Sequence, residues 1–204
     1  ISRAVLKECF TSEFEQAVRE SSEKIRSDPS YKEHRKIGAL RSAGASMEAG
    51  TLEGLNYQTA VLEEWDKRCA EEALKIIKAD EQFCYACPIG CPLTVEVKKG
   101  KHAGLKIGSA TFVHQIFQWG AKCGIKELES IWRCKEICHR LGLDTASTAS
   151  TIAFTMELFQ RHILTKRDVD GLEMNWGNDE AIFEMIQKIA HREGFGNILA
   201  EGTV

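Results

Sequence analysis

Apolar residues recur at steps of three and four along most of the chain and at steps of two along one short stretch. Phe14, Ala17, Val18 and Ile25 stand among charges over residues 12–27, which predicts a surface helix ending before Asp28-Pro29. A second helix is expected from Ser30 toward Leu40. Gly44, Gly50 and Gly54 follow among small side chains, a composition that suits turns, close backbone approach or a ligand-facing loop. Leu62, Trp65, Cys69, Ala73 and Ile76 predict a helix from Ala60 to Lys78, with Cys69 packed on its apolar stripe. Leu93, Val95 and Val97 alternate with Thr94, Glu96 and Lys98, the period of a strand. Lys99-Gly100-Lys101 makes a turn there, and Leu105 and Ile107 form the return strand.

The rest is helical. Phe112, Val113, Ile116, Phe117 and Trp119 predict a largely buried helix over 111–121. Leu128, Ile131, Cys134, Cys138 and Leu141 share one face of a helix over 126–141, where both cysteines are expected to pack. Glu136 and His139, three apart, have a spacing that can bind a metal, although a solvated pair is commoner. Gly142 suits a left-handed helix end and Asp144 an N-cap. The next helix should carry Ile152, Met156, Phe159 and Ile163 inward. A last one begins after Gly177-Asn178, buries Ile182, Met185, Ile186 and Ile189, and stops at Gly194. The expected fold is mainly α, a single multi-helical domain over residues 1–204 with one small β-hairpin.

Composition narrows the function. Apolar content of 43% and charged content of 28% are ordinary for a globular protein, and a net charge of −3 leaves no footprint for nucleic acid. No apolar run approaches the roughly 20 residues that span a bilayer, so no membrane partner is expected. Eight cysteines without a secretory signal point to a reducing compartment, by default the cytoplasm. The chain opens Ile1-Ser2-Arg3 and closes shortly after a helical stretch, so both ends are expected to be cut from something longer.

The cysteines are densest in Cys84-Tyr85-Ala86-Cys87-Pro88-Ile89-Gly90-Cys91-Pro92. Two prolines stop a helix from continuing here, and Gly90 permits conformations other residues resist. The segment reads as a stiff loop whose three sulfurs turn toward one point, as an iron–sulfur cluster requires. A disulfide would leave one thiol without a local partner. A structural zinc site remains a rival, although only the Cys84/Cys87 pair has the usual spacing.

Several separate stretches then match one family in order. They are the cysteine loop, Gly120-Ala121-Lys122-Cys123-Gly124-Ile125, Leu141-Gly142-Leu143-Asp144-Thr145 and Ala190-His191-Arg192-Glu193-Gly194-Phe195-Gly196, with Gly50 to Asn56 where that family has a Gly-rich loop. Over nearly its whole length the chain resembles the central part of the aldehyde:ferredoxin oxidoreductase family. These are tungsten or molybdenum enzymes carrying two pyranopterins and one 4Fe–4S cluster. The resemblance implies that the chain is the first α-helical domain of a three-domain enzyme. An N-terminal pterin-binding β domain and a C-terminal helical domain would lie outside it.

By that resemblance Cys84, Cys87 and Cys91 are three of four cluster ligands, the fourth falling beyond Val204. The pterin-contacting motif of the family, Asp or Asn, two intervening residues and then Gly-Leu-Asp, maps to His139, Gly142, Leu143 and Asp144. The first position departs from it. The metal-facing carboxylate of aldehyde-oxidising members maps to His114, which can take its place as proton donor or acceptor or equally serve as a buried, hydrogen-bonded structural histidine. The implied partners are a ferredoxin-like electron carrier, an aldehyde or related substrate, and the remaining domains of the parent. Members acting on other substrates, including aryl-CoA reductases, stay open. The isolated chain is expected to be inactive. A reading of another class is a non-catalytic helical zinc-binding or scaffold module.

Overall fold

The structure, a computed structural model, describes residues 11–38, 43–60, 75, 77–81, 84–108 and 112–203. Of the helix expected from Ala60 to Lys78, residues 61–74 and Ile76 lie outside the described residues, and with them Cys69. The other end of that expectation is corrected. Ile77–Glu81 forms strand β1, paired antiparallel with β2, Pro92–Val97. A partner strand outweighs local helical periodicity here, because backbone groups are satisfied equally well across a ladder. β2 in turn pairs with β3, Lys106–Ile107, so the expected hairpin is the inner part of a three-stranded sheet in the order β1-β2-β3.

Before the sheet come α1 (Ser12–Ser27), α2 (Tyr31–Ile37) and α3 (Ala43–Glu48). Thr11 caps α1 by accepting from the Phe14 amide, and the helix stops at Asp28 as its Asp-Pro sequence requires. After the sheet, α4 (Phe112–Gln115) passes directly into a π-helix, Ile116–Lys122. The sequence predicts an ordinary helix there. The wider turn buries four consecutive residues, Trp119, Gly120, Ala121 and Lys122, where a regular amphipathic helix would turn some of them to solvent.

Three further helices enclose the core. α5 is Leu128–Leu141, α6 is Thr145–Gln160 and α7 is Asp179–His191, with the short α8, Phe195–Leu199, docked on α7. Val95, Val97 and Ile107 of the sheet meet Trp119, Ile131, Cys134, Ile152, Met156, Met174, Ile182 and Ile186 in one cluster. Cys134 and Cys138 are buried in it, as their place on the apolar face predicts. Glu136 takes ion pairs with Arg133 and Arg140. Three threonines on α6 bury their hydroxyls by donating one turn back, Thr148 to the Asp144 carbonyl, Thr151 to Ser147 and Thr155 to Thr151. Ile163 is not inward. It is 64% exposed, because α6 ends at Gln160 and the chain turns outward through His162 at φ 58°.

Candidate functional site

β2 begins at the residue after Cys91, so the sheet anchors one end of the cysteine loop. Within the loop the Cys87 amide donates to the Cys84 carbonyl at 3.0 Å, closing a turn with Ala86 at φ 56°. Gly90, at φ 66°, supplies the second bend without a side-chain penalty. All three thiols are free, with Cys84 exposed and Cys87 and Cys91 half-buried. Burial pushes the Cys91 thiol up, and the nearby Cys87 and Cys84 add to it, so the sulfurs are close enough to act on one another.

Among the described residues no three His, Cys, Asp or Glu side chains are gathered as ligands of one metal ion. A four-iron cluster makes a different demand. Each of its thiolates binds a different iron, so the sulfurs surround the cluster without sharing one ion. Three free thiols bent onto one loop fit three corners of such a group.

The second predicted locus is the α5–α6 junction. Gly142 ends α5 at φ 70°, where the left-handed conformation costs glycine nothing. Asp144 caps α6 by accepting from the Ser147 amide at 2.7 Å. That hydrogen bond holds the Asp144 carboxyl below its ordinary value. His139 is exposed on the last turn of α5, and Leu143 is half-buried. Desolvation lowers the His139 pKa and the ammonium of Lys135, one turn earlier, lowers it further. His114 is exposed on α4. Its neighbour Gln115 is buried and accepts from the Thr145 hydroxyl at 3.1 Å, while Trp119 Nε1 donates to the same hydroxyl at 2.8 Å. These two bonds bring α4 and its π-helix against the residue after Asp144.

Asp144→Ala should lower stability by about 1 kcal/mol through loss of the cap. Because the folded carboxyl titrates below its unfolded value, the contribution is present above the ordinary carboxylate range and lost as pH falls through the lowered value. Urea midpoints of the two proteins, compared at pH 7 and again in acid, measure both effects.

A third locus falls at the end of the glycine-containing loop. Leu55, Asn56 and Tyr57 are consecutive residues at φ 47°, 53° and 65°, a left-handed run that side chains other than glycine rarely adopt. The turn is held from outside. Asn56 donates to Glu157 at 2.7 Å, and Glu53 pairs at 2.6 Å with Lys122, whose side chain is 4% exposed. Lys122 also donates to Ser150 and lies over the Tyr57 ring. Strain over-determined in this way collects at functional sites. The glycines from Gly44 to Gly54 had marked this stretch as turns, close backbone approach or a ligand-facing loop, but not its left-handed run or its tie to Lys122.

The family follows from comparison. The chain belongs to the aldehyde ferredoxin oxidoreductase family, whose description "Aldehyde ferredoxin oxidoreductase, domains 2 & 3" matches residues 16–204. The tungsten-containing aldehyde ferredoxin oxidoreductase of Pyrococcus furiosus is 35% identical over 194 residues, 91% of this chain and 30% of that protein. The enzyme of the same name from Thermococcus kodakarensis is 34% identical over 193 residues, with the same coverage. An aliphatic sulfonate oxidoreductase, WOR-like subunit, from P. furiosus is 37% identical over 119 residues, 58% of this chain and 19% of that one. Among solved structures, the active site complex BamBC of benzoyl coenzyme A reductase, in complex with 1,5-dienoyl-CoA, is similar with a TM-score of 0.54. It is 26% identical and covers 69% of this chain and 21% of its own. The chain thus spans about 30% of the length of the curated aldehyde-oxidoreductase relatives it matches. Among the described residues no helix is long and apolar enough to cross a membrane.

Proposed function

We propose that this chain is a cluster-bearing helical domain of a tungsten- or molybdenum-pterin oxidoreductase. The observation that carries the proposal is the loop of three free thiols, bent at Ala86 and Gly90 onto one turn, in a chain of this family. Cys84, Cys87 and Cys91 hold three irons of a 4Fe–4S cluster, with the fourth ligand supplied from elsewhere in the parent protein. When bound, the pterin-held metal supplies two-electron chemistry and the cluster supplies one-electron relay toward a ferredoxin-like carrier.

This chain's residues bind and orient. Burial, with the neighbouring Cys87 and Cys84 adding to it, raises the Cys91 thiol, and the positive charge of a bound cluster would offset both and favour the thiolates. His139 carries a lowered pKa and so presents a neutral ring, one nitrogen donating and the other accepting, to a pterin edge. Gly142 and Leu143 let the backbone pass close beside it, and the Asp144 cap fixes where α6 begins. His114 stands ready to give or take a proton of an aldehyde or related small substrate. The domain works in a reducing compartment, which keeps the six described thiols free.

The test uses the parent protein purified without oxygen. The expected product is brown, with broad absorbance near roughly 400 nm from thiolate-to-iron charge transfer, and Cys87→Ser abolishes the band. A colourless protein holding one zinc per chain would overturn the proposal in favour of a binding module. Residues 1–204 alone are expected to retain little cluster after handling in air and to oxidise no aldehyde.

A further inference from the structure

The cysteine loop is backed by a contact that the proposed function does not use. The phenol of Tyr31, the first residue of α2, donates to the Pro88 carbonyl at 3.0 Å. Pro88 stands between Cys87 and Cys91, and the donor comes from 57 residues earlier in the chain. Proline has a fixed φ and no N–H, so the direction of its carbonyl is what remains to be set on that side of the loop. Tyr31 is itself well placed to set it. Its amide donates to the Asp28 carbonyl at 3.0 Å, and the Arg35 guanidinium lies 5.9 Å from its ring centre. A cavity of ≈ 340 Å³ separates the α1–α2 pair from the loop, with Ile25, Tyr31 and His34 on one side and Ile89 on the other. Across that gap the phenol forms a polar bridge.

We propose that Tyr31 is a positioning residue for the cluster loop, fixing the Pro88–Ile89 peptide so that its carbonyl faces α2. The proposal rests on the three thiols being cluster ligands. The peptide is planar and trans, and the described residues contain no cis bond, so the Ile89 N–H points away from α2. Hydrogen bonds and dipoles around a cluster set its potential, so a loop peptide held in one orientation holds that potential at one value. Losing the phenol frees the peptide to rotate and opens the cavity side of the loop.

The experiment compares the intact parent protein with its Tyr31→Phe variant, which keeps the ring and loses the hydroxyl. Iron content, the cluster midpoint from a redox titration followed by electron paramagnetic resonance, bleaching in air and the thermal melt are read together. The expected result is unchanged iron and melting, a shifted midpoint and several-fold faster bleaching. Loss of iron with an unchanged melt supports the same role. An unaltered midpoint and bleaching rate overturn it, as does any loss of iron accompanied by a lowered melt, which would make Tyr31 merely structural. If the unsubstituted protein holds no cluster, it is the functional proposal that fails. Alkylation of Cys87 and Cys91 by iodoacetamide then decides Tyr31 separately: faster labelling in Tyr31→Phe supports the positioning role and equal rates overturn it.

Discussion

Gly196→Ala is expected to lower the unfolding free energy by about 3 kcal/mol, the cost of forcing an atom into a packed interior that cannot relax. The added methyl would lie 2.3 Å from the Lys188 carbonyl carbon, 2.5 Å from its oxygen and 2.6 Å from the Ile189 amide nitrogen. All three are backbone atoms of α7, so no side-chain rotation relieves the contact. α8 would have to move off α7, and with it Leu199, which is 8% exposed in the common core. Gly202 is the control. A methyl there meets nothing within 4 Å and carries only the cost of φ 87°, about 1 kcal/mol. Urea unfolding measures both, and the midpoint should fall much further for Gly196→Ala with little change in slope. Equal midpoints for the two variants would show that α8 is not seated on α7 as described.

Above pH 9 the protein is expected to lose stability steeply, although one buried group acts in the opposite sense. Burial pushes the Cys138 thiol up to about 12, against hydrogen bonds from Thr145 and Thr148, and it pushes Cys123 and Cys134 up as well. An unfolded chain releases these protons near 9, while the folded one keeps them. Stability is therefore whole below pH 9 and falls as pH rises toward the folded values. For Cys138 alone three units amount to about 4 kcal/mol.

Lys135 works the other way. It is 2% exposed, and desolvation lowers its pKa to about 8. Between 8 and its unfolded value near 10.5 the unfolded chain binds the extra proton, so stability rises with pH by at most about 3 kcal/mol. Three thiols outweigh one lysine. Thermal melts in reductant should therefore rise slightly from pH 7.5 to 9 and drop between 9 and 10.5. Lys135→Met should abolish the rise. A profile flat from pH 9 to 11 would contradict the burial of these thiols.

Much of the fold was legible along the chain, because its signals are local. The residues that start α6 and α7, Asp144 and Asn178, accept from amides three residues on, and Gly142 ends α5 in the left-handed region. The alternation from Leu93 to Val97 is strand β2. The errors have a common cause. Ile77 and Lys78 continue a helical period, yet β2 offers their backbone a ladder. Phe112 to Lys122 has a helical composition, yet the path opens into a π-helix where α6 and the Glu53 carboxylate meet it. Ile163 has the spacing of an inward residue, but α6 has already ended.

The sequence by itself determined where helices begin and end, which faces turn inward, and that three thiols share one short loop. Caps, periodicity and spacing act within a few residues and need no distant partner. Only the tertiary structure decided that Leu55 to Tyr57 turn left-handed, that Lys122 is buried beside Glu53 and that Tyr31 reaches Pro88. Each of these depends on atoms contributed from tens of residues away, and a strained or buried polar group keeps its conformation only when such partners satisfy it.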